Sequence, residues 1–243
     1  MIVPMEERIR FRNEVTVELV QSMGDDMAVV ESARVSTKGS ESLGTSREIG
    51  KRERGLINFL MRDRHGTPFE HNAFTFYIEA PIFVFREFMR HRVASYNEES
   101  ARYKQLDPVF YVPGLDRDLL QEGKPGAYEY KPGLIYHHLT VDEQTKRASL
   151  ESYKAYEKML ESGVAREVAR GVLPVNIYSS MFVTMNARGL MNFLSLRVDS
   201  PQNSFPSYPQ REIEMVAEKM ENLWAEKMPV TADLFVEHGR VTP

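Results

Sequence analysis

Asn72-Ala-Phe-Thr-Phe-Tyr-Ile-Glu79 runs into Ala80-Pro-Ile-Phe-Val-Phe85; then comes Arg90-His91-Arg92 and, seven residues later, Ser100-Ala101-Arg102. Phe74, Phe76 and Ile78 repeat every second residue, which predicts a strand from Asn72 to Glu79. Pro81 opens a predicted helix carrying Ile82, Phe83, Phe85 and Met89. Core-like sequence therefore delivers three guanidinium groups, an imidazole, Glu98 and a hydroxyl within the thirteen residues from Arg90 to Arg102. A guanidinium cannot shed its charge by deprotonation, so such a cluster needs anionic partners, and a bound phosphate is the usual one.

The surrounding pattern mixes single strands with long helices. Val15, Val17 and Leu19 alternate in a predicted strand from Glu14 to Val20, and Asp25 or Asp26 caps a helix reaching Val35. Thr45 with Glu48 makes a capping-box pattern for a helix to about Arg64, stopped by Gly66. Residues 107–136 hold four prolines and several glycines and read as an irregular surface excursion. Thr140 with Glu143 predicts the start of the next helix and Gly163 its end, and a short helix covers Val164 to Gly171. Ile177 to Met185 reads as a strand and Ala187 to Val198 as a helix. Ser207 and Gln210 cap a last amphipathic helix with the stripe Ile213, Val216, Met220, Leu223 and Trp224. There is no regular βαβ alternation, so the pattern predicts an α+β fold. We read residues 1–243 as a single domain with a mainly antiparallel sheet packed by long helices.

Composition narrows the function. The chain is 42% hydrophobic and 27% charged with a net charge of −4, so affinity for anions has to be local, and a duplex nucleic-acid binder is disfavoured. No apolar run approaches the roughly 20 residues that span a bilayer, and the first dozen residues carry no signal-peptide pattern. There is no cysteine, which excludes disulfides, thiolate metal sites and thiol nucleophiles, and is compatible with a cytoplasmic location.

The Arg-rich segment also admits a plain reading as a solvated helix face paired with Glu98 and Glu99. Ser95, Asn97, Ser100 and Tyr103 add hydrogen-bonding groups that favour an anion and heterocycle site. Arg170, Arg188 beside Asn186 and Asn192, and Arg197 after an apolar run are either salt-bridged or ligand-holding. His65, Glu70 and His71 lack the spacing of a metal site, and no metal is expected. Thr67 in the same Gly-Thr-Pro turn can face a cofactor. Phe83, Phe85, Phe88 and Met89 read first as packing.

Arg90-His91-Arg92-x7-Ser100 resembles the signature of the flavin-dependent thymidylate synthases. The similarity extends through His65-Gly-Thr-Pro-Phe-Glu-His71, Arg170-Gly-Val-Leu-Pro174, Asn186-Ala187-Arg188 to Asn192, and Arg197-Val-Asp-Ser200, covering about Thr45 to Ser200. The resemblance implies a homotetramer with shared active sites that makes dTMP from dUMP using FAD, NADPH and methylenetetrahydrofolate. It places FAD against Thr67, Arg90, His91, Arg92, Glu98, Asn186, Ala187, Arg188 and Asn192. It places dUMP against Glu87, Phe88, Met89, Arg90, Glu98, Glu99, Ser100, Ala101, Arg102 and Arg170, with Arg197 catalytic at the uracil ring. Family members often carry Gln where this chain has Glu87.

The residues bear on this reading independently. Methylation at C5 needs the uracil ring to become a carbon nucleophile, and this chain has no thiolate to add at C6. A fixed cation where negative charge develops is the remaining route, and Arg197 suits it. Two alternatives stand beside this one. The first is a nucleotide- or RNA-binding module that stacks bases on Tyr96 and Tyr103. The second is a flavoenzyme acting on a different nucleotide.

Overall fold

The computed structural model describes residues 5–42, 48–125 and 127–243. In chain order the elements are α1 (Met5–Arg8), β1 (Arg10–Arg12), β2 (Thr16–Met23), α2 (Asp26–Lys38), α3 (Lys51–Arg62), β3 (Ala73–Pro81) and α4 (Ile82–Phe88). There follow β4 (Ser95–Glu98), β5 (Val109–Tyr111), β6 (Leu120–Lys124), β7 (Ala127–Lys131), α5 (Ile135–Glu161) and α6 (Arg166–Ala169). The chain then continues as β8 (Tyr178–Met185), α7 (Ala187–Arg197), α8 (Arg211–Ala225) and α9 (Pro229–Glu237). One four-stranded sheet has the order β2-β3-β8-β4. Thr75 meets Thr184 at 2.9 Å and the Ile82 N–H bonds the Ile177 carbonyl at 3.0 Å, so β3 and β8 run antiparallel. The fold is α+β.

The chain gathers into two compact units. The first takes residues up to Glu14, Glu79–Arg86 and Glu98–Ser180. Its core packs Leu106, Phe110, Tyr153, Tyr156 and Ile177 with Ala101 and Ala169. The Tyr153 hydroxyl donates to the Leu106 carbonyl at 2.9 Å, so a buried ring keeps its polar end satisfied. The expected irregular excursion here is in fact strand-bearing. β5 is buried and pairs in parallel with β1, and β6 and β7 form an antiparallel hairpin. Each strand is too short to show a period of its own. The long helix also starts earlier than expected: the His137 ring nitrogen accepts the Leu134 N–H at 2.9 Å, while Thr140 lies inside the helix and donates to the Tyr136 carbonyl.

The second unit takes Val15–Ile78, Glu87–Asn97 and Met181–Pro243. Asp25 caps α2 as expected, accepting from the N–H groups of Met27 and Ala28. The Thr45 cap lies outside the described residues; α3 begins at Lys51, where Glu53 reaches back to the Gly50 N–H at 3.3 Å. Nor does Gly66 stop α3. Arg64 adopts the left-handed conformation with φ 61°. His65 N–H then bonds the Leu60 carbonyl and Arg64 N–H that of Met61, the two bonds of a Schellman turn. The stripe Ile213, Val216, Met220 and Trp224 of α8 is fully buried, with Trp224 edge-on to Phe235 at 6.3 Å. α8 is not the last helix, because α9 follows. Buried Asp26 holds the start of α9 through the N–H groups of Val230 and Thr231 and the Thr231 hydroxyl. Ser207 does not cap α8: its hydroxyl donates to the Val198 carbonyl at 2.8 Å.

Candidate active site

In the second unit, Glu87 near the end of α4 and His91 in the turn after it meet Arg197, the last residue of α7. The Arg197 Nε–H donates to His91 Nε2 at 3.0 Å, and its Nη1 group lies 2.9 Å from a Glu87 carboxylate oxygen. His91 lies edge-on to Phe193 at 4.9 Å, and Phe193 stacks on Phe88 at 4.8 Å. The Tyr96 hydroxyl is 2.7 Å from the His91 carbonyl and 2.9 Å from that of Phe88, so its one proton is shared between two acceptors that fix the turn. Burial first, and then the Arg197 charge, push the His91 imidazole down to about 4, while burial pushes the Tyr96 phenol up to about 12. An uncharged imidazole thus sits beside a cation.

Arg90, Arg92 and Met89 are exposed around this turn, and neither arginine has a carboxylate partner among the described residues. Phe88 is fully buried and acts as packing, as the aromatic spacing suggests. Thr67 is exposed in the short 3₁₀ turn Thr67–Glu70.

A cavity of about 500 Å³ in the same unit is lined by Arg64, Glu70, Val93, Asn186, Arg188, Gly189, Asn192, Thr242 and Pro243. Asn186 caps α7, its side-chain oxygen accepting the Gly189 N–H at 2.8 Å, so its amide NH₂ is the end left for a ligand. Ala187 is fully buried and gives its N–H to Asn72 at 2.6 Å, which makes it part of the frame rather than of the cavity wall. Arg188 bonds Glu70 and donates to the Pro243 carbonyl at 2.9 Å. Gly66 permits this approach, because a Cβ there would meet the Arg188 guanidinium at 2.5 Å. Arg64 and the 242–243 segment escaped the sequence reading, which weighed Glu70 only as a metal ligand. Of these only Arg64 carries a local mark, its left-handed backbone, and that mark is not visible in the sequence.

In the first unit a second cavity, about 320 Å³, is lined by residues that include Arg86, Glu98, Glu99, Ala101, Glu167 and Arg170. Arg102 donates to Glu167 at 3.0 Å and Lys104 pairs with Glu99 at 2.7 Å. Ser100 Oγ accepts the Arg102 N–H at 3.3 Å, forming the turn that places Arg102. Burial raises the Glu98 carboxyl, and neighbouring Glu99 adds to it, while a Ser179 hydrogen bond and the charges of Arg170 and Arg86 oppose the shift. Glu167 was not expected from the sequence.

A bound dinucleotide asks for cations free to meet phosphates and for amide donors beside an apolar wall. Exposed Arg90 and Arg92, and the Asn186, Asn192, Val93 and Pro243 lining, meet that demand. Comparison with known proteins gives the family. The family model described as thymidylate synthase complementing protein matches residues 18–230. The flavin-dependent thymidylate synthase of Streptomyces avermitilis is 56% identical, covering 96% of this chain and 95% of that one. That of Tropheryma whipplei is 54% identical over 96% of this chain and 97% of its own. The crystal structure of the UMP/dUMP methylase PolB from Streptomyces cacaoi bound with 5-Br dUMP superposes with a TM-score of 0.91 at 52% identity, covering 97% of this chain and all of that one. The chain, with exposed arginines after its fourth helix and no cysteine, belongs to the thymidylate synthase complementing protein family, whose relatives here are flavin-dependent thymidylate synthases.

Proposed function

We propose that this chain catalyses the reductive methylation of dUMP to dTMP, with methylenetetrahydrofolate as one-carbon donor, NADPH as reductant and FAD as bound cofactor. The observation that carries the reading is a guanidinium, Arg197, held in a partly buried site by Glu87 and His91 in a chain with no cysteine. FAD carries the reducing equivalents when bound. The protein binds, orients and polarises.

Arg90, His91 and Arg92 with Asn186, Arg188, Asn192 and Thr67 serve the cofactor. Ser100, Ala101, Arg102 and Arg170, with Glu98 and Glu99, serve the nucleotide. Arg197 faces the uracil ring, where a permanent cation stabilises the negative charge that lets C5 attack. We read residues 1–243 as one catalytic domain that works as a homotetramer in the cytoplasm, among its nucleotide and folate substrates. No described helix is long and apolar enough to cross a membrane.

The test is direct. Purified protein supplied with FAD should show flavin absorption, bleach with NADPH and dUMP, and release dTMP once the folate is added; a colourless protein that leaves dUMP unchanged would end the reading. A second acceptor is favoured by the name of the Streptomyces cacaoi neighbour, a UMP/dUMP methylase. Parallel assays with UMP and dUMP measure the preference.

A further inference from the structure

Arg197 and His91 stand 106 residues apart in the chain, and their bond carries chemical information. A guanidinium has five N–H groups and no acceptor, whereas a neutral imidazole has one donor and one acceptor nitrogen. Because Arg197 can only donate, His91 Nε2 accepts, so the imidazole proton sits on Nδ1 and the ring is neutral. The Glu87 carboxylate forms an ion pair with Nη1 at 2.9 Å. Among the described residues the guanidinium gives one hydrogen bond, from Nε–H to His91, and its Nη2 group meets no carboxylate. The imidazole is itself fixed: Phe193 packs against it, and Tyr96 ties down its carbonyl. The trio of Glu87, Arg197 and neutral His91 carries no net charge.

We propose that Glu87 and His91 are positioning residues that fix the plane and rotation of the Arg197 guanidinium and leave its Nη2 N–H groups for the pyrimidine. This deepens the dUMP reading and rests on it. Glu87 acts here as an acceptor of fixed place rather than as a charge. Orientation and charge separate in Glu87→Gln, which keeps an oxygen beside Nη1 and removes the negative charge. They are lost together in Glu87→Ala.

The experiment has a kinetic arm and a spectroscopic arm. With wild-type dTMP formation established first, Glu87→Ala should lower kcat about a hundredfold, the scale of a misplaced catalytic group, with KM for dUMP changed less than about threefold. Glu87→Gln should restore kcat to within about threefold of wild type on the same argument. Equal loss in both variants would assign Glu87 a charge role and overturn the proposal, as would wild-type kcat in Glu87→Ala. In ¹⁵N-histidine spectra of the ligand-free protein, the His91 signal, assigned by its absence in His91→Gln, should show an unprotonated Nε2 and a protonated Nδ1. The opposite tautomer overturns the proposal even if the kinetics cannot be measured. A wild-type enzyme without dUMP turnover would sink the functional reading while this spectrum still tested the trio. Should Glu87→Ala not fold, Glu87→Gln and the wild-type spectrum decide the matter.

Discussion

Arg197 and Arg102 are both expected to face a nucleotide, and the structure holds them in opposite ways. The Arg197 side chain is 18% exposed, ends a helix, is hydrogen-bonded through Nε and is ion-paired at Nη1. The Arg102 side chain is 50% exposed and pairs with Glu167, which is 54% exposed. Water screens the second pair to a small net energy, so its carboxylate is easily exchanged for another anion. The first is a preorganised charge whose place is set before any ligand arrives. On the proposed reading the protein divides its labour accordingly, with an exchangeable cation to capture a phosphate and a fixed one to alter a ring.

The contrast breaks most sharply at Arg197. Arg197→Ala should lower kcat by about 10²–10³, the usual loss for one preorganised charge-stabilising donor, with dUMP binding reduced far less; unchanged dTMP formation would put the fixed-charge role in error. Next comes the scaffold of the trio. Tyr96→Phe removes the shared proton between two carbonyls and should cost about 1 kcal/mol of unfolding free energy in urea titrations, with kcat falling alongside. If stability drops and kcat holds, the turn does not position Arg197.

The third test is pH. The folded His91 imidazole lies near 4, below the 6.5 of a free imidazole, so between those values the unfolded chain binds more protons. The His91 contribution to stability is therefore whole above about pH 6.5 and is lost as pH falls toward 4. Urea unfolding at pH 7 and pH 5 should show the decline, and His91→Asn should flatten it. The smallest effect belongs to the exposed pair. Glu167→Gln frees Arg102 and should lower KM for dUMP by no more than about fivefold, the equivalent of about 1 kcal/mol; a larger change would mean that this pair, too, is held fast.

What the sequence discloses follows the same divide between local and distant causes. The Asp25 cap, the alternation of β3, the Gly163 stop and the α8 stripe are written within a few residues, and the structure keeps them, with Leu223 of the stripe only half-buried. β4, β5, β6 and β7 are three to five residues long and owe their existence to partners, β5 to a strand about a hundred residues upstream. No local period can announce them. Arg64 takes a conformation that costs most side chains about 1 kcal/mol or more; it closes the turn that ends α3, where no glycine or asparagine marks the place. The motif residues of the candidate site were legible one by one. Their pairing was not: Glu87 drew notice as a dUMP contact and as a departure from the family pattern, and nothing in the chain joins it to Arg197.

Thr242 and Pro243 form part of the wall of the larger cavity, and Arg188 and Arg64 both donate to their carbonyls. Two cations of the same unit thus grip this stretch of backbone, and releasing either grip would loosen one side of the chamber.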